Sequence, residues 1–460
     1  MNKEFQLSIK KYTNPRTIWI AVFVSCFLGL FVDGFDLQML SLTLPSLREE
    51  WGLSNTQAGL LGTASLMGMG IGGIIGGNLA DRFGRVRMAA AMVVIFSIGS
   101  FLLGFTQEPW QFMAIRFITG MGLGAEYTIC MMLMAEYTNA KRRGITMGAL
   151  MTAYSLGYMS AALLSGVIIP SHGWRWMYWI AIVPVVLAIY IRRHIPEPAG
   201  WEQRREQATH SGKTKVKRSQ WRLIWENRVA RRMFLLWTIT AAFLQFGYYG
   251  VNTWLPSYVA GDLGVEFSSM TIYVSGTYMA GFASRLVGGW LADRFGRRWI
   301  FSGGGILTAA LLPVIYLYQN PDNIVAFLIG LGLVYGMPYA VNGTYMNESF
   351  PTELRGTATG GAYNLGRVGA MLAPVTIGLI ADSFSVGLGL AVLGIGYGIA
   401  ALIPFFFIRD RLYDPNRADT DEIQQQIAEV STSPIRVHAD PRPHGSAPAE
   451  QSEPERASRG

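Results

Sequence analysis

Residues 79–85 read LADRFGR, and the same seven letters return unchanged at residues 291–297, 212 positions further along the chain. Each copy follows an apolar run and ends in an acid, a glycine and two arginines. Glycine is the residue that best permits an unusual backbone turn, so both copies are typical of a tight connection between two helices. The repeat indicates that the chain consists of two related halves.

Other positions keep the same spacing, so the repeat extends well beyond one connection. The matched pairs are Glu136 and Glu348, Arg143 and Arg355, Gly120 and Gly332, Gly124 and Gly336, and Tyr127 and Tyr339.

The composition is that of a membrane protein. Apolar residues make up 51% of the 460 positions and charged residues only 15%, whereas soluble domains carry about 25% charged residues. A helix needs about 20 apolar residues to cross a bilayer. Twelve runs meet this need, near residues 18–42, 58–80, 88–106, 111–135, 145–169, 176–191, 233–255, 270–292, 299–318, 324–346, 357–381 and 386–408.

The number of spans per repeat predicts how the halves are related. Six spans are even in number and return the chain to the same side of the membrane, so the halves are parallel repeats about an axis along the membrane normal. We therefore expect an all-α membrane protein with twelve transmembrane helices in two six-helix bundles. The expected parts are residues 1–192 and 232–409 for the bundles, 193–231 for a cytoplasmic linker, and 410–460 for a largely disordered cytoplasmic tail.

The basic residues predict the orientation. Lysines and arginines collect in the connections of one side, at residues 3–16, 82–87, 141–143, 192–232 and 294–298. The other side carries Arg48, with Arg175 at the foot of the sixth span. Because cytoplasmic loops are enriched in positive charge, we expect an inner-membrane, multi-pass protein with both termini in the cytoplasm. The net charge of +8 then serves topology and contact with the bilayer, and nucleic-acid binding is excluded.

Several motifs resemble those of a known family. The residues around both LADRFGR copies resemble the signature of the major facilitator superfamily, and this resemblance covers about residues 17–409. The run from Arg116 to Gly124 is similar to the fourth-helix motif of its proton-driven symporters, and Pro196-Glu197-Pro198 is similar to the motif that ends the first half of sugar porters. Residues 33–36, DGFD, and 364–370, NLGRVGA, resemble the aromatic acid:proton symporter family, which takes up benzoate-type acids.

Charged residues inside the spans are candidates for the transport pathway. A charge at mid-bilayer costs roughly 2.5–3.5 kcal/mol on insertion scales, and such residues usually face a cavity. Six residues qualify: Asp33, Asp36, Arg116, Glu126, Arg285 and Arg367.

Asp33 and Asp36 lie on one face of the first span, at a depth that roughly matches that of Arg116 in the fourth. We expect one of the two aspartates to face Arg116. If a substrate anion occupies the arginine, the carboxylate loses its partner in an apolar environment, which favours its protonated form. The resemblance implies the same proton-coupling role, and the alternative is a static ion pair. Glu126 is either a proton relay or a neutral side chain that bonds a neighbouring helix.

The second half supplies the candidates for substrate binding. Arginine matches a carboxylate with two hydrogen bonds. The resemblance assigns Arg367 to the substrate, and Arg285 is either a second contact or part of the inner gate. Arg116 is the first-half candidate. The polar and aromatic residues expected to line a central cavity, rather than to pack or anchor helices, include Gln245, Tyr248, Asn252, Tyr339, Asn342 and Asn364.

Acids and bases at the ends of spans repeat in both halves. We expect them to form a cytoplasmic gate, in which Arg85 pairs with Glu136, Arg297 pairs with Glu348, and Asp81 meets the N-terminus of a neighbouring helix. The alternative is charge that only sets topology. The full set is Asp81, Arg85, Glu136, Arg143, Asp293, Arg297, Glu348 and Arg355.

These features predict a monomeric proton-coupled symporter that imports a small organic acid, most simply an aromatic carboxylate of the benzoate or hydroxybenzoate type. The alternatives are an aliphatic mono- or dicarboxylate importer, a sugar symporter, and a sensor that binds without transport. No catalytic constellation and no phosphate-binding loop of the GxxxxGK[ST] kind occurs in the sequence. We therefore expect no enzyme activity, no cofactor and no metal.

Overall fold

The computed structural model describes residues 15–138, 143–183, 186, 195, 197, 220–318, 320, 321, 323–351, 353–410, 412 and 413. The chain divides into two compact units, residues 1–415 and 416–460. All helices named below belong to the first unit.

The described part of the chain is helical. The first half contains α1 (Pro15–Trp51), α2 (Asn55–Phe83), α3 (Arg85–Leu103), α4 (Pro109–Tyr137), α5 (Arg143–His172) and α6 (Arg175–Ile180). The second half contains α7 (Gln220–Glu226), α8 (Arg228–Ser257, continued by a π-helical turn Tyr258–Asp262), α9 (Phe267–Phe295), α10 (Arg297–Leu317), α11 (Ile324–Tyr335), α12 (Met337–Glu348), α13 (Arg355–Ser383) and α14 (Val386–Phe407).

The helix boundaries reproduce the sequence repeat. α2 and α9 are both 29 residues long, and both of their ends are related by the offset of 212 positions. Each ends at a glycine with positive φ, Gly84 at 109° and Gly296 at 100°, before the next helix begins. Other residues rarely adopt such a backbone conformation. The predicted fold of two parallel six-helix repeats is confirmed.

Most of the predicted spans are confirmed as long apolar helices. In the described residues, ten helices are long and apolar enough to cross a membrane. The eighth predicted span forms α9, whose 29 residues correspond to about 43 Å of helix. The sixth predicted span lies largely outside the described residues beyond α6. The tenth forms one apolar span, Ile324–Glu348, whose helical hydrogen bonding is interrupted at Gly336 between α11 and α12. Pro338 explains the break, since proline lacks an N–H and clashes with the preceding turn.

The predicted linker and tail lie mostly outside the described residues. Where the linker is described, it is shorter than expected, because α8 already begins at Arg228. The short α7 precedes it, and its Trp221 packs against Phe234 with ring centroids 5.8 Å apart.

Two faces of the helical bundle can be distinguished. The motif face carries the turns at Gly84 and Gly296, and the opposite face carries the ends of α1 and α13 and the beginnings of α2 and α14. The two halves contact each other toward the opposite face. Asp382 at the end of α13 accepts hydrogen bonds from the N–H groups of Asn55 and Thr56 at 2.7 and 2.9 Å.

Two hydroxyl groups also join the halves on this side of the bundle. Ser41 Oγ in α1 donates to backbone carbonyls of α8, and Thr63 Oγ1 in α2 donates to the Met371 carbonyl of α13 at 2.8 Å. The structure is therefore closed toward the opposite face.

Candidate functional site

A buried ion pair connects α1 with α4. Arg116 Nη1 lies 2.5 Å from Asp36 Oδ2, and the two residues are 0% and 1% exposed. Ser100 donates to the second Asp36 oxygen at 2.5 Å, and Arg116 donates to the Tyr178 hydroxyl at 3.1 Å. The aspartate expected to face Arg116 is thus Asp36. A buried ion pair is stabilised when further hydrogen bonds satisfy its atoms. Here Ser100 and Tyr178 supply such bonds, whereas Arg116 Nε has no acceptor among the described residues.

Asp33 has a different partner. It is 0% exposed, and the Tyr154 hydroxyl donates to its Oδ2 at 3.3 Å. Glu126 is also fully buried, in α4, and lies 3.9 Å from the sulfur of Cys130 one turn further on. The three acids of the first half therefore occupy three separate environments.

Arg367 lies in α13 between rings of both halves. Its guanidinium carbon is 5.6 Å from the ring centroid of Tyr127 in α4 and 5.8 Å from that of Tyr363 in α13. The residue is 3% exposed, and its Nε has no hydrogen-bond acceptor among the described residues. Within the described chain, no carboxylate forms an ion pair with it.

Arg285 lies in α9 and also reaches across the halves. It donates to the hydroxyl of Ser155 in α5 and, at 2.7 Å, to the hydroxyl of Tyr248 in α8. Its partners are neutral, and the ion pairs found in the described residues do not include Arg285. The described residues therefore show no acidic side chain that would pair with Arg285 in an inner gate, and this alternative stays a prediction.

Tyrosines surround the two arginines. The Tyr248 ring stacks on Tyr335 with centroids 5.5 Å apart and approaches Tyr339 to 4.2 Å. Tyr249 contacts Tyr248 edge to face at 5.5 Å, and its hydroxyl lies within electrostatic range of both Arg285 and Arg367. Such rings present flat apolar surfaces with a polar edge.

The remaining predicted lining residues carry side-chain amides. Asn252 and Asn364 donate to carbonyls of their own helices, at 2.7 and 2.9 Å, and Gln245 donates to the Tyr363 carbonyl at 3.0 Å. The side-chain carbonyls of Gln245, Asn252 and Asn342 have no hydrogen-bond donor among the described residues. These buried acceptors are available to a ligand or to water.

A small cavity lies between the halves next to the ion pair. Its wall combines α1, α2, α4 and α5 with α8, and it includes Arg116, Tyr158, Tyr249, Asn252 and Gln38. The cavity thus connects the surroundings of Arg116 with Tyr249, which borders the two arginines of the second half.

The charged turns of the motif face contain the predicted pairs. Arg85 pairs with Glu136 and, at 3.4 Å, with Asp81. Arg297 repeats this arrangement with Asp293 and with Glu348 at 3.4 Å. Arg355 lies within electrostatic range of Glu348. The side chain of Arg143 lies outside the described residues, and the gating role of the whole set stays a prediction.

Two acids at the motif face were not assigned by the sequence analysis. Glu197 accepts hydrogen bonds from the backbone N–H groups of Arg85, Val86 and Arg87 at 2.8 to 3.0 Å. Asp410 accepts from the N–H of Arg297 at 3.0 Å. Both carboxylates therefore stabilise a helix that begins at a motif turn. These two acids make contacts of this kind at α3 and α10, and the expected contact of Asp81 with the N-terminus of a neighbouring helix stays a prediction.

Among the described residues, no group of three or more His, Cys, Asp or Glu side chains is placed to hold a metal ion. The site is instead a set of charged and aromatic side chains enclosed between two repeated helical halves.

A helical membrane protein with this repeat and this enclosed charged junction is a membrane transporter rather than an enzyme. Its sequence matches the Major Facilitator Superfamily model over residues 26–288 and 258–442, and the chain belongs to this family.

Comparisons with individual proteins agree with this assignment. The cis,cis-muconate transport protein of Acinetobacter baylyi is 48% identical over 400 residues, which cover 87% of this chain and 97% of the relative. The gentisate transporter of Corynebacterium glutamicum is 30% identical over 405 residues, covering 83% of this chain and 85% of the relative. In the solved structure of a D-xylose-proton symporter, 98% of the chain superimposes on 85% of this one with a TM-score of 0.71 and 21% identity, which supports the fold.

Proposed function

We propose that this chain is a proton-coupled symporter that imports a small, flat, conjugated organic acid by alternating access. The observation that carries the proposal is the distribution of buried charge. Asp36 and Arg116 neutralise each other in the first half, whereas Arg285 and Arg367 face the junction without a carboxylate partner in the described chain. An anionic substrate compensates such cations.

The tyrosines around the arginines support a flat substrate. Tyr248, Tyr249 and Tyr363 present ring surfaces next to the two guanidinium groups. Binding sites for small molecules combine apolar walls with a few polar groups that fix orientation. The names of the two relatives, for muconate and gentisate, describe conjugated acids and agree with this substrate class.

The Asp36–Arg116 pair provides a route to proton coupling. If rocking of the halves or an arriving anion weakens the pair, an ionised carboxylate remains in apolar surroundings, which favours its protonated form. Return of Arg116 on the other side of the cycle releases the proton. Asp33 and Glu126 are additional proton acceptors of the first half.

The motif face is cytoplasmic in this proposal. It carries most of the basic connections of the chain, in keeping with the enrichment of positive charge in cytoplasmic loops. The ion pairs of Arg85 and Arg297 then join helices within each half at its cytoplasmic end, where both arginines are largely buried. In this proposal they rearrange during each cycle. The protein acts as a monomer in the inner membrane with both termini inside.

Uptake into proteoliposomes tests the proposal. We expect radiolabelled cis,cis-muconate or 4-hydroxybenzoate to accumulate when the outside is more acidic than the inside, and an uncoupler to abolish the accumulation. Benzoate and muconate should compete, whereas glucose should not. Uptake that ignores the proton gradient would refute the coupling, and competition by glucose alone would refute the substrate class.

A further inference from the structure

The charges at the junction of the halves are unequal. Arg116 has the carboxylate of Asp36 at 2.5 Å. Arg285 and Arg367 have only hydroxyls and ring faces among the described residues. A buried charge without a counter-charge is costly. Two such arginines together therefore call for two negative charges, not one.

The two arginines lie at similar depth in the bundle. Arg285 is ten residues before the end of α9 at the motif face, and Arg367 is twelve residues after the start of α13 at the same face. At 1.5 Å per residue these separations are about 15 and 18 Å. Both arginines therefore lie at one level of the bundle, whereas Arg116 belongs to a level nearer the opposite face.

One aromatic side chain, Tyr249, lies near both cationic groups. The Tyr249 hydroxyl is within electrostatic range of both guanidinium groups, and its ring contacts Tyr248, over which Arg285 lies at 5.8 Å. Tyr249 also borders the cavity between the halves. The space next to the arginines is thus flanked by an aromatic surface that suits a conjugated carbon chain or ring.

We infer that Arg285 and Arg367 form a two-point clamp for a short dicarboxylate, in which each guanidinium group binds one carboxylate while Tyr249 lies against the conjugated body. This inference rests on the proposed function, that the chain transports an organic acid anion, and it narrows the substrate to a diacid. A monocarboxylate satisfies one arginine and leaves the second without a counter-charge. The clamp therefore selects dicarboxylates over their monoesters and over monocarboxylates of the same size.

The clamp also has a consequence for conformational change. Arg285 donates to Ser155 of the first half, and Arg367 lies over the ring of Tyr127 of the first half. A diacid that engages both arginines draws both second-half helices toward the substrate and replaces contacts that hold the halves together. A ligand with one carboxylate engages only one of these connections.

The test compares cis,cis-muconate with its monomethyl ester, which keeps the carbon chain but has a single carboxylate. Affinities of the purified full-length protein for both compounds are measured, together with their uptake into proteoliposomes. A charge-assisted hydrogen-bonded pair corresponds to about 10- to 100-fold in affinity. We expect wild type to prefer the diacid by that factor. In Arg285→Gln and in Arg367→Gln, the preference should fall to within about threefold of unity, while the monoester still binds through the remaining arginine.

The controls separate a specific effect from a general one. Arg222→Gln removes one positive charge from the exposed helix α7, where Arg222 pairs with Glu226, and should leave the preference intact. Arg285→Lys keeps the positive charge and should retain part of the preference for the diacid. Two outcomes would contradict the clamp but not organic acid transport. One is that Arg285→Gln lowers the affinity for both compounds by the same factor. The other is that wild type transports monocarboxylates but not the diacid. If wild type transports neither class, the proposed function itself fails.

Discussion

Asp36 and Arg116 show how one pair of residues can combine stability with a switch. Their contact is enclosed on all sides, so removing one partner leaves an uncompensated buried charge, which typically costs about 3–5 kcal/mol. Ser100 and Tyr178 hold the two side chains in place. The same enclosure makes the carboxylate sensitive to any movement of the arginine. When the arginine moves away, a proton can neutralise the carboxylate in its place.

Replacement of Asp36 by asparagine should separate binding from coupling. Asparagine keeps an acceptor for Ser100 but cannot take up and release a proton. We expect gradient-driven accumulation of substrate to fall more than about tenfold, while exchange of internal for external substrate continues. Both rates are measured in proteoliposomes that contain equal amounts of folded protein, as judged by size-exclusion chromatography.

Asp33→Asn is the matched control for this prediction. Asp33 lies three residues away in the same helix and bonds to Tyr154 instead of an arginine. If Asp36→Asn retains full accumulation and Asp33→Asn loses it, the proton is carried by Asp33. If both variants accumulate substrate normally, the coupling proposal for α1 is wrong.

The sequence predicted part of this site. A contact of Arg116 with one of the two aspartates of α1 followed from their matching depths, and the structure shows that it is Asp36. The arginines of α9 and α13 followed as candidates from the cost of charge in a membrane. The helix-capping roles of Glu197 and Asp410 could not be predicted in the same way. Each lies more than a hundred residues from the turn it contacts, and an acid at a polar boundary is usually only solvated. The one available signal was their near-equal spacing from the two repeated turns.

Helix packing depends on glycines where α2 crosses α4. A Cβ atom at Gly72 would overlap the backbone of Met121, and one at Gly124 would overlap the backbone of Met69. The two helices therefore approach until their backbones touch, which is a common mode of association in membranes. Such close contacts between helices explain why the chain contains many glycines.

Gly72→Ala should destabilise the protein despite the better helix propensity of alanine. We expect about 1–3 kcal/mol of destabilisation, because the added methyl group forces two backbones apart. Thermal unfolding in detergent, followed by the loss of monodisperse protein, measures the effect as a lower Tm. Gly289→Ala in α9 is the control, because nothing lies within 4 Å of its Cβ position. An equal loss in both variants would mean that the close approach of α2 to α4 does not govern the response.

The sequence predicted the helices better than the interruptions within them. The apolar runs placed α1 to α5 and α8 to α14, and the spacing of 212 positions matched both ends of α2 and α9. The interruption at Gly336 was not predicted because the run 324–346 is predominantly apolar on both sides of it. Pro338 was the available signal. Prolines nevertheless lie inside other helices of this chain, at Pro170 and Pro374 for example, so a proline alone does not predict a break.

At the scale of the whole molecule, the polar contacts between the halves include one at the opposite face that joins the end of α13 to the start of α2. Asp382 of α13 accepts three hydrogen bonds from the start of α2, including one from the Thr56 hydroxyl at 2.6 Å. The helix α2 does not need this carboxylate for its own integrity, because Ser54 and Gln57 already form a capping box. The contact therefore serves the closed state of the opposite face rather than the stability of one helix.

Asp382→Ala should shift the whole molecule toward opening of the opposite face. A capping contact contributes about 1 kcal/mol, which corresponds to a change of about fivefold in a conformational equilibrium. The measurement is the rate at which an impermeant maleimide labels a Leu37→Cys variant in the cavity wall. The native Cys26 and Cys130 are buried and contribute little background. We expect labelling from the opposite face to accelerate by about that factor.

Asp262→Ala provides the decisive comparison. Asp262 makes the same type of contact, accepting from the N–H of Gly387 at the start of α14 at 2.7 Å, but both partners belong to the second half. As in α2, a serine, Ser385, caps the helix independently. Loss of this acid should lower the stability of the second half without changing the rate at which the maleimide labels the Leu37→Cys variant. Equal acceleration in both variants would show that labelling reports local loosening, and no acceleration in Asp382→Ala would show that apolar packing alone closes the opposite face.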